Sequence, residues 1–334
     1  MHRLALAALA LTLLLAPACS GGDDALVIYS GRSKALVQPL VDQFEAATGT
    51  PVKVRYGGTA QLAIALMEEG QASPADLFWG QDAGALGALS TAGLLAPLGG
   101  DLAADQPDAF RSVGGTWAAT SGRARVLAYS PARVDAAALP SSVFDLTDPA
   151  WRDRVGWAPA NGSFQSFVTA MLATHGEKAT RGWLEALRDN GAVSYPNNSA
   201  LLQAIAAGDV DVALTNHYYL LRLRDDDPDF PAAQTSFEAG DIGNMVNVSG
   251  LGILASSSRR GPAEAFVSAM LAPSAQRFLA ADVFEYPVIE LDAAGQTSGL
   301  VNRAELIEAS PRVELDALAD LESSLELLRE VELL

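Results

Sequence analysis

Cysteine is nearly absent from this chain, with one in 334 residues. A lone Cys19 excludes an intramolecular disulfide and any zinc framework built on paired cysteines. Histidine is almost as scarce, at three. Only His175 and His217 lie beyond the first few residues, so an acid–base dyad or a histidine metal cluster has little to draw on. No GxSxG, HExxH or Cys/His zinc spacing occurs either, which argues against a hydrolase or a zinc enzyme. Basic side chains number 22 against 40 acidic ones, a formal charge of −18 with no dense Lys/Arg run; a phosphate backbone calls for the opposite, so nucleic acid is excluded as a partner. Long apolar runs are missing too. The one from Leu4 to Ala16 is too short to span a bilayer comfortably.

That run belongs to the opening stretch MHRLALAALALTLLLAPACSGGDD, which has one arginine, an apolar segment and then small residues, the layout of a secretory signal. A cysteine at its end, followed by Ser20-Gly21-Gly22, resembles a bacterial lipoprotein cleavage site. The resemblance assigns residues 1–18 to a signal peptide, 19–25 to a linker and Cys19 to lipid attachment, so that contact with the membrane is through the lipid alone. An ordinary signal with a soluble product is the alternative.

The chain is rich in core-forming residues, 49% hydrophobic overall, and beyond the opening stretch it alternates strand-like with helix-like runs. LVIY (26–29) reads as a buried strand. Leu36, Val37, Leu40, Val41 and Phe44 recur at helical spacing, and Gly49 stands where a C-cap belongs. Pro39 is expected only in the first turn of that helix. VKVRY (52–56) is a second strand, Gly57-Gly58-Thr59 opens a helix running to about Glu69, and ADLFW (75–79) is a third strand before a helix near Asp82. This is the strand-helix alternation of an open α/β sheet, whose ligands bind beyond the carboxyl ends of the strands. A second unit comes next: VGWAP (155–159) into NGSF, SYPNNS (194–199) into a helix ending at Gly208, and VDVAL (210–214) into TNHYY. SGRARVLAYS (121–130) and NMVNVSGLGIL (244–254) read as extended segments crossing between two units. The leucines from Leu315 to Leu334 predict one closing helix.

Eight segments in this order, VIYSGRS, GGTAQLA, ADLFWGQD, SGRARVLAYS, VGWAPANGSF, YPNNSALLQAI, NHYYLLR and EYPV, resemble the ferric-iron-binding proteins of bacterial ABC transporters, from about Leu26 to the end of the chain. The resemblance implies an α/β fold of the two-lobed, type II periplasmic-binding-protein kind, a clamshell with its ligand cleft between the lobes. One lobe would comprise residues 26–120 plus about 250–300, the other 121–249 plus about 301–334, with hinge strands near 121–130 and 244–254. It implies no enzymatic activity. The protein would be an extracytoplasmic, lipid-anchored, monomeric receptor handing Fe(III) to an ABC permease and its ATPase.

By match with the family, Tyr218 and Tyr219 are the metal ligands. The chemistry agrees: Fe(III) is a hard, highly charged cation that prefers anionic oxygen donors. A phenol titrates near 10 unless something stabilises its anion, and a bound metal does so. Thr215 or Asn216 as N-cap would put both rings in the first turn of a helix, at its positive end. Elsewhere the match leaves gaps: Ser33 stands where some members place a histidine, Gln81 where they place a glutamate and Phe164 where others place a third tyrosine. Gln81, through its carbonyl oxygen, is therefore a further metal candidate, while Asp82 beside it reads as a helix cap. A synergistic anion (carbonate, phosphate or similar) would complete the sphere, and its matched positions are Asn161, Gly162, Ser163, Asn198 and Asn216. Arg123 and Arg125, alternating on one strand, share a face and could balance the charge or anchor a lobe. His217 is expected to point away from the cleft and His175 to lie at the surface. The alternative reading is a binding protein of the same fold for another small ligand: an inorganic anion, a polyamine or a thiamine-like cation.

Overall fold

A computed structural model describes residues 24–100, 102–292 and 300–334; the expectations for the signal peptide and for Cys19 lie outside the described residues. The strands are β1 (Leu26–Ser30), β2 (Val52–Tyr56), β3 (Leu77–Gly80), β4 (Trp117–Tyr129), β5 (Val155–Trp157), β6 (Val193–Ser194), β7 (Val212–Asn216), β8 (Ala233–Thr235) and β9 (Val246–Ile253). The helices are α1 (Lys34–Thr48), α2 (Thr59–Glu69), α3 (Ala83–Thr91), α4 (Gly162–Asp189, kinked at Gly176), α5 (Asn198–Ala207), α6 (His217–Asp226), α7 (Arg260–Leu271), α8 (Pro273–Ala281), α9 (Arg303–Ala309) and α10 (Leu321–Glu330).

The strands form one path, β2-β1-β3-β9-β4-β7-β5-β6, with β8 beside β4. Parallel pairs β1–β2 and β1–β3 occupy one end, parallel pairs β5–β7 and β5–β6 the other, and the antiparallel pair β4–β9 joins the two halves. These two long strands are the crossing segments expected from sequence, and they run side by side. Their register slips between Ala119 and Ser121, a bulge that bends a strand where it changes halves. Thr120 at the slip is buried, bonded to Trp79 Nε1 (3.2 Å) and Ser249 Oγ (3.2 Å).

Two departures from the sequence reading have clear causes. Pro39 sits in the second turn of α1 rather than the first. It is tolerated because Pro39 and Ala35, whose carbonyl loses its partner, both face solvent. The C-terminal stretch is two pieces: a 3-10 turn at Leu315–Ala319, a break at Asp320, then α10, which Asp320 caps through Ser323 N (3.3 Å).

The break lets the chain use both halves. Asp316 accepts from Val113 N (2.8 Å) and Trp117 Nε1 (2.8 Å), laying residues 315–319 on α3, while α10 packs on α4 through Ser324 and Thr169 (2.7 Å). The approach to α3 is so close that a Cβ on Gly84 would lie 2.4 Å from the Leu318 carbonyl oxygen. Gly84→Ala should therefore lower stability by about 1–3 kcal/mol, read as a fall in the thermal midpoint; an unchanged midpoint would mean that residues 315–319 detach without cost.

Candidate functional site

A cavity of about 470 Å³ opens between the two halves of the sheet, and first turns of helices that follow strands line it: Thr59 and Ala60 of α2, Gly84 and Ala85 of α3, Gly162 and Ser163 of α4, and Tyr218 and Tyr219 of α6. Each helix follows a strand end, so the cavity is where an open α/β sheet collects ligands. At helix starts the backbone N–H groups lack intrahelical partners and favour negative charge.

The two tyrosine rings lie against each other, with centroids 4.4 Å apart and planes at 31°. Tyr218 is buried and Tyr219 partly so. Asn216 holds the N-cap position with extended backbone, but its side chain makes no cap bond; it stands near the Tyr218 phenol and favours its ionised form slightly. The Thr215 hydroxyl is buried without a partner. The tip of α6 is thus left uncapped by side chains, unlike that of α4, where Asn161 Oδ1 accepts from Ser163 N (3.0 Å). Burial pushes the Tyr218 phenol up to about 12, and Tyr219 adds to the rise against the opposing pull of Arg123. Folded and unfolded chains both hold this proton at neutral pH. The stability that the raised value confers is complete below about pH 10, and it is lost as pH rises through about 12.

Arg123 and Arg125 project from β4 into the same cavity, as alternation on one strand requires. Both are buried, at 7% and 4% exposure, and Nε and Nη2 of each have no hydrogen-bond partner. Arg125 Nη1 donates to the Ser163 carbonyl at 3.3 Å, and its guanidinium stacks 4.7 Å from the Phe167 ring. Burial lowers its pKa to about 10, with Tyr218 opposing the shift. Neither arginine is ion-paired with a carboxylate among the described residues. Buried cations with unpaired N–H groups are costly; a wall carrying two of them is complementary to an anion.

The remaining candidates divide. Gln81 reaches the cavity, its backbone N–H held by Thr59 Oγ1 (3.3 Å), and Asp82 caps α3 through Ala85 N (3.0 Å). Asn161, Gly162, Ser163 and Asn216 stand in the wall. Asn198 does not; fully buried, it donates to Ser163 Oγ (3.2 Å) and Asn161 Oδ1 (3.4 Å), so it props the α4 tip from behind. Its amide is turned inward by a polar pair that sequence alone could not locate. Ser33 is exposed at the start of α1, outside the wall, and Phe164 is buried among Trp157, Phe167 and Trp183. His175 is exposed.

Among the described residues, no three His, Cys, Asp or Glu side chains gather where they could hold a metal. The sequence reading missed the outer wall: Ile64 and Met67 on the exposed flank of α2, and Leu318, Ala319 and Leu321 from the far end of the chain. Ile64 and Met67 fall in the helix read from the sequence, and Leu318 and Leu321 share the helical leucine spacing; what the sequence did not show is that the far end reaches the cavity, because that depends on the break at Asp320.

Residues 25–285 match the family described as bacterial extracellular solute-binding protein. The chain is 33% identical to the Fe(3+)-binding periplasmic protein of Serratia marcescens over 91% of its length and 94% of that protein's. It is 35% identical to the major ferric iron-binding protein of Neisseria meningitidis, over 82% of this chain and 85% of that one. Its fold superimposes on the crystal structure of iron-bound HitA from Pseudomonas aeruginosa with a TM-score of 0.81 and 34% identity, covering 92% of this chain and 99% of HitA.

Proposed function

The chain belongs to the bacterial ferric-iron solute-binding proteins and has their type II periplasmic-binding fold, and on that premise we propose that it captures Fe(III) outside the cytoplasm and delivers it to an ABC importer. The observation that carries this reading is the tyrosine pair at the uncapped tip of α6, facing a cavity whose other wall holds two buried arginines with unpaired N–H groups.

Tyr218 and Tyr219 supply two phenolates to one metal. Fe(III) suits them because it is hard and highly charged, and its charge offsets what burial costs the Tyr218 anion. Two phenolates leave positions open. A synergistic anion fills them, held by Arg123, Arg125 and the Gly162 N–H at the start of α4, with Asn161, Ser163 and Asn198 fixing that helix tip and Asn216 standing beside Tyr218. Gln81, in reach of the cavity, adds a carbonyl oxygen. The protein would perform no chemistry on its cargo.

The lobes follow the halves of the sheet, with β4 and β9 as the hinge. Closure of one half on the other completes the site and presents a surface to the permease. Residues 1–18 serve as the export signal and Cys19 as the lipid anchor of a monomeric receptor.

The test is to add Fe(III), as its nitrilotriacetate complex, to the mature protein with bicarbonate, phosphate or citrate. A broad visible phenolate-to-iron band that saturates at one iron per chain is the expected result; no band with any anion overturns the reading. Protons supply a second check. Metal ligands bind deprotonated, so phenolate ligation should release protons beyond those accounted for by the chelator, and affinity should rise with pH. A weakly buffered titration with a pH electrode measures this, and release of no excess proton would rule out phenolate ligation.

A further inference from the structure

We propose that His217 is a positioning residue for the tyrosine pair: its ring ties the first residue of α6 at both nitrogens to backbone fixed on β4, and so sets where Tyr218 and Tyr219 stand relative to Arg123 and Arg125. The iron-dependent arm of its test rests on the ferric reading above; the metal-free arm does not.

His217 is 1% exposed and forms no part of the cavity wall. Its Nδ1 lies 3.1 Å from the backbone nitrogen of Ala124, and its Nε2 2.8 Å from the carbonyl oxygen of Phe284. A backbone N–H can only donate and a carbonyl only accept, so one neutral tautomer serves both bonds: Nε2 carries the hydrogen and Nδ1 the lone pair, which leaves the Ala124 carbonyl oxygen, 3.3 Å from Nδ1, with no donor from the neutral ring. Burial keeps the ring neutral by lowering its pKa to about 4. The two bonds run in opposite senses, and only a group with one donor and one acceptor at imidazole spacing can make both.

What His217 holds on to is itself immobilised. Ala124 lies between Arg123 and Arg125 in β4. Phe284 has a left-handed backbone, φ 59°, an unfavourable state for a bulky side chain that persists where its surroundings enforce it. Here Tyr286 exchanges two backbone hydrogen bonds with Gly122 of β4, at 2.9 and 2.8 Å. Glu285 is buried and takes both Arg32 contacts, at 3.1 and 2.9 Å, together with the Ser121 hydroxyl. Burial alone would raise that carboxyl's pKa, but the Arg32 and Arg123 charges outweigh it and hold the group ionised. The Phe284 carbonyl is thus aimed at the imidazole from a segment pinned on both sides. The His217 ring also packs on Tyr286, centroids 4.5 Å apart, and stands edge-on to Tyr218 at 5.6 Å.

Because the Asn216 side chain makes no cap bond, the start of α6 has no side-chain cap to define it. His217 supplies that definition from the opposite side. Arg125 already faces Asn216 in the strand pair, and the tie at Ala124 adds a second point, so the phenols and the guanidiniums keep one fixed relation.

The test compares His217→Leu, which removes both bonds, with His217→Gln, which can still donate to Phe284, and His217→Asn, which can still accept from Ala124. In the metal-free full mature protein, amide hydrogen exchange at Ala124 and at Leu221 and Arg222, the first amides bonded within α6, should quicken by about tenfold or more in the leucine variant, with distant amides unchanged and partial recovery in the other two. With Fe(III), the leucine variant should bind about 10- to 100-fold more weakly, as when an outer partner of a ligand is lost, and its visible band should shift, with Gln and Asn between it and wild type. Exchange that quickens uniformly across the molecule, or wild-type exchange and an unshifted band in all three, overturns the proposal. Should the leucine variant not fold, Gln against Asn repeats the comparison with one bond cut in each. A wild type without any band defeats the ferric reading instead and leaves His217 to be judged on exchange alone.

Discussion

Replacing both tyrosines, Tyr218→Phe with Tyr219→Phe, is expected to abolish the visible band and reduce Fe(III) affinity by far more than the roughly 10- to 100-fold that the loss of an outer partner costs. The substitution is informative because it leaves the rings. Tyr218 is 6% exposed, with the Arg222 guanidinium 4.7 Å over its face and Tyr219 stacked beside it, all of which phenylalanine preserves. The oxygen lost from Tyr218 has the side chains of Arg123, Tyr219 and Asn216 as its polar neighbours, so the thermal midpoint of the metal-free protein should move by no more than the equivalent of about 1 kcal/mol. The single variants should each keep a weaker band, with Tyr218→Phe the more damaging: Tyr218 is the more deeply buried, and its anion gains most from a metal in a site without water. An intact band in the double variant would show that iron binds elsewhere. Loss of the band together with a fallen midpoint would assign the tyrosines to the core.

Much of this site is legible in the sequence, for reasons that differ by residue. The tyrosine pair stands out because adjacent phenols behind a capping pair are chemically conspicuous, and β4 and β9 because both segments read as extended chain. The α/β order of the first eighty residues follows from local periodicity, which fixes elements without reference to the rest of the molecule. The hidden features depend on contacts between distant segments. Asn198 reads like Asn161 in sequence, but Asn161 lines the cavity and Asn198 props it from behind, a difference set by packing of α5 against the tip of α4. Asn216 stands at the right position for a cap, yet its side chain makes no cap bond, and the uncapped tip leaves donors free for an anion. The leucine spacing after Leu315 is helical as expected, but the break at Asp320 answers to α3 and α4, which are more than a hundred residues upstream. His217 points away from the cavity, as its sequence context predicts; its bonds to Ala124 and Phe284 span 93 and 67 residues and leave no local trace.

Arg125→Met should act with opposite signs on stability and on binding. In the metal-free protein, Arg125 is a buried cation with two nitrogens unpaired, and burial has already lowered its pKa to about 10. Removing such a charge in favour of an apolar side chain of similar length relieves desolvation, at the cost of one 3.3 Å bond to Ser163 and a contact with Phe167. The balance favours methionine by about 1–4 kcal/mol, on the scale seen when buried ionic groups are replaced by packed apolar ones, and the thermal midpoint of the empty protein should rise by several degrees. With Fe(III) and its anion bound the sign reverses. The anion then lies in a buried site without one of its counter-charges, which costs about 2–5 kcal/mol, and competition against a chelator should show weaker iron binding with a flattened dependence on bicarbonate, phosphate or citrate. Arg123→Met should gain less when empty, because Arg123 also helps hold the Glu285 carboxylate ionised beside Arg32. A protein that becomes more stable and less competent by the same change is one whose arginines are kept for the ligand. If Arg125→Met instead lowers the midpoint of the empty protein and leaves the anion dependence intact, the arginine is an anchor between β4 and the tip of α4, and the anion must be held by the helix starts alone.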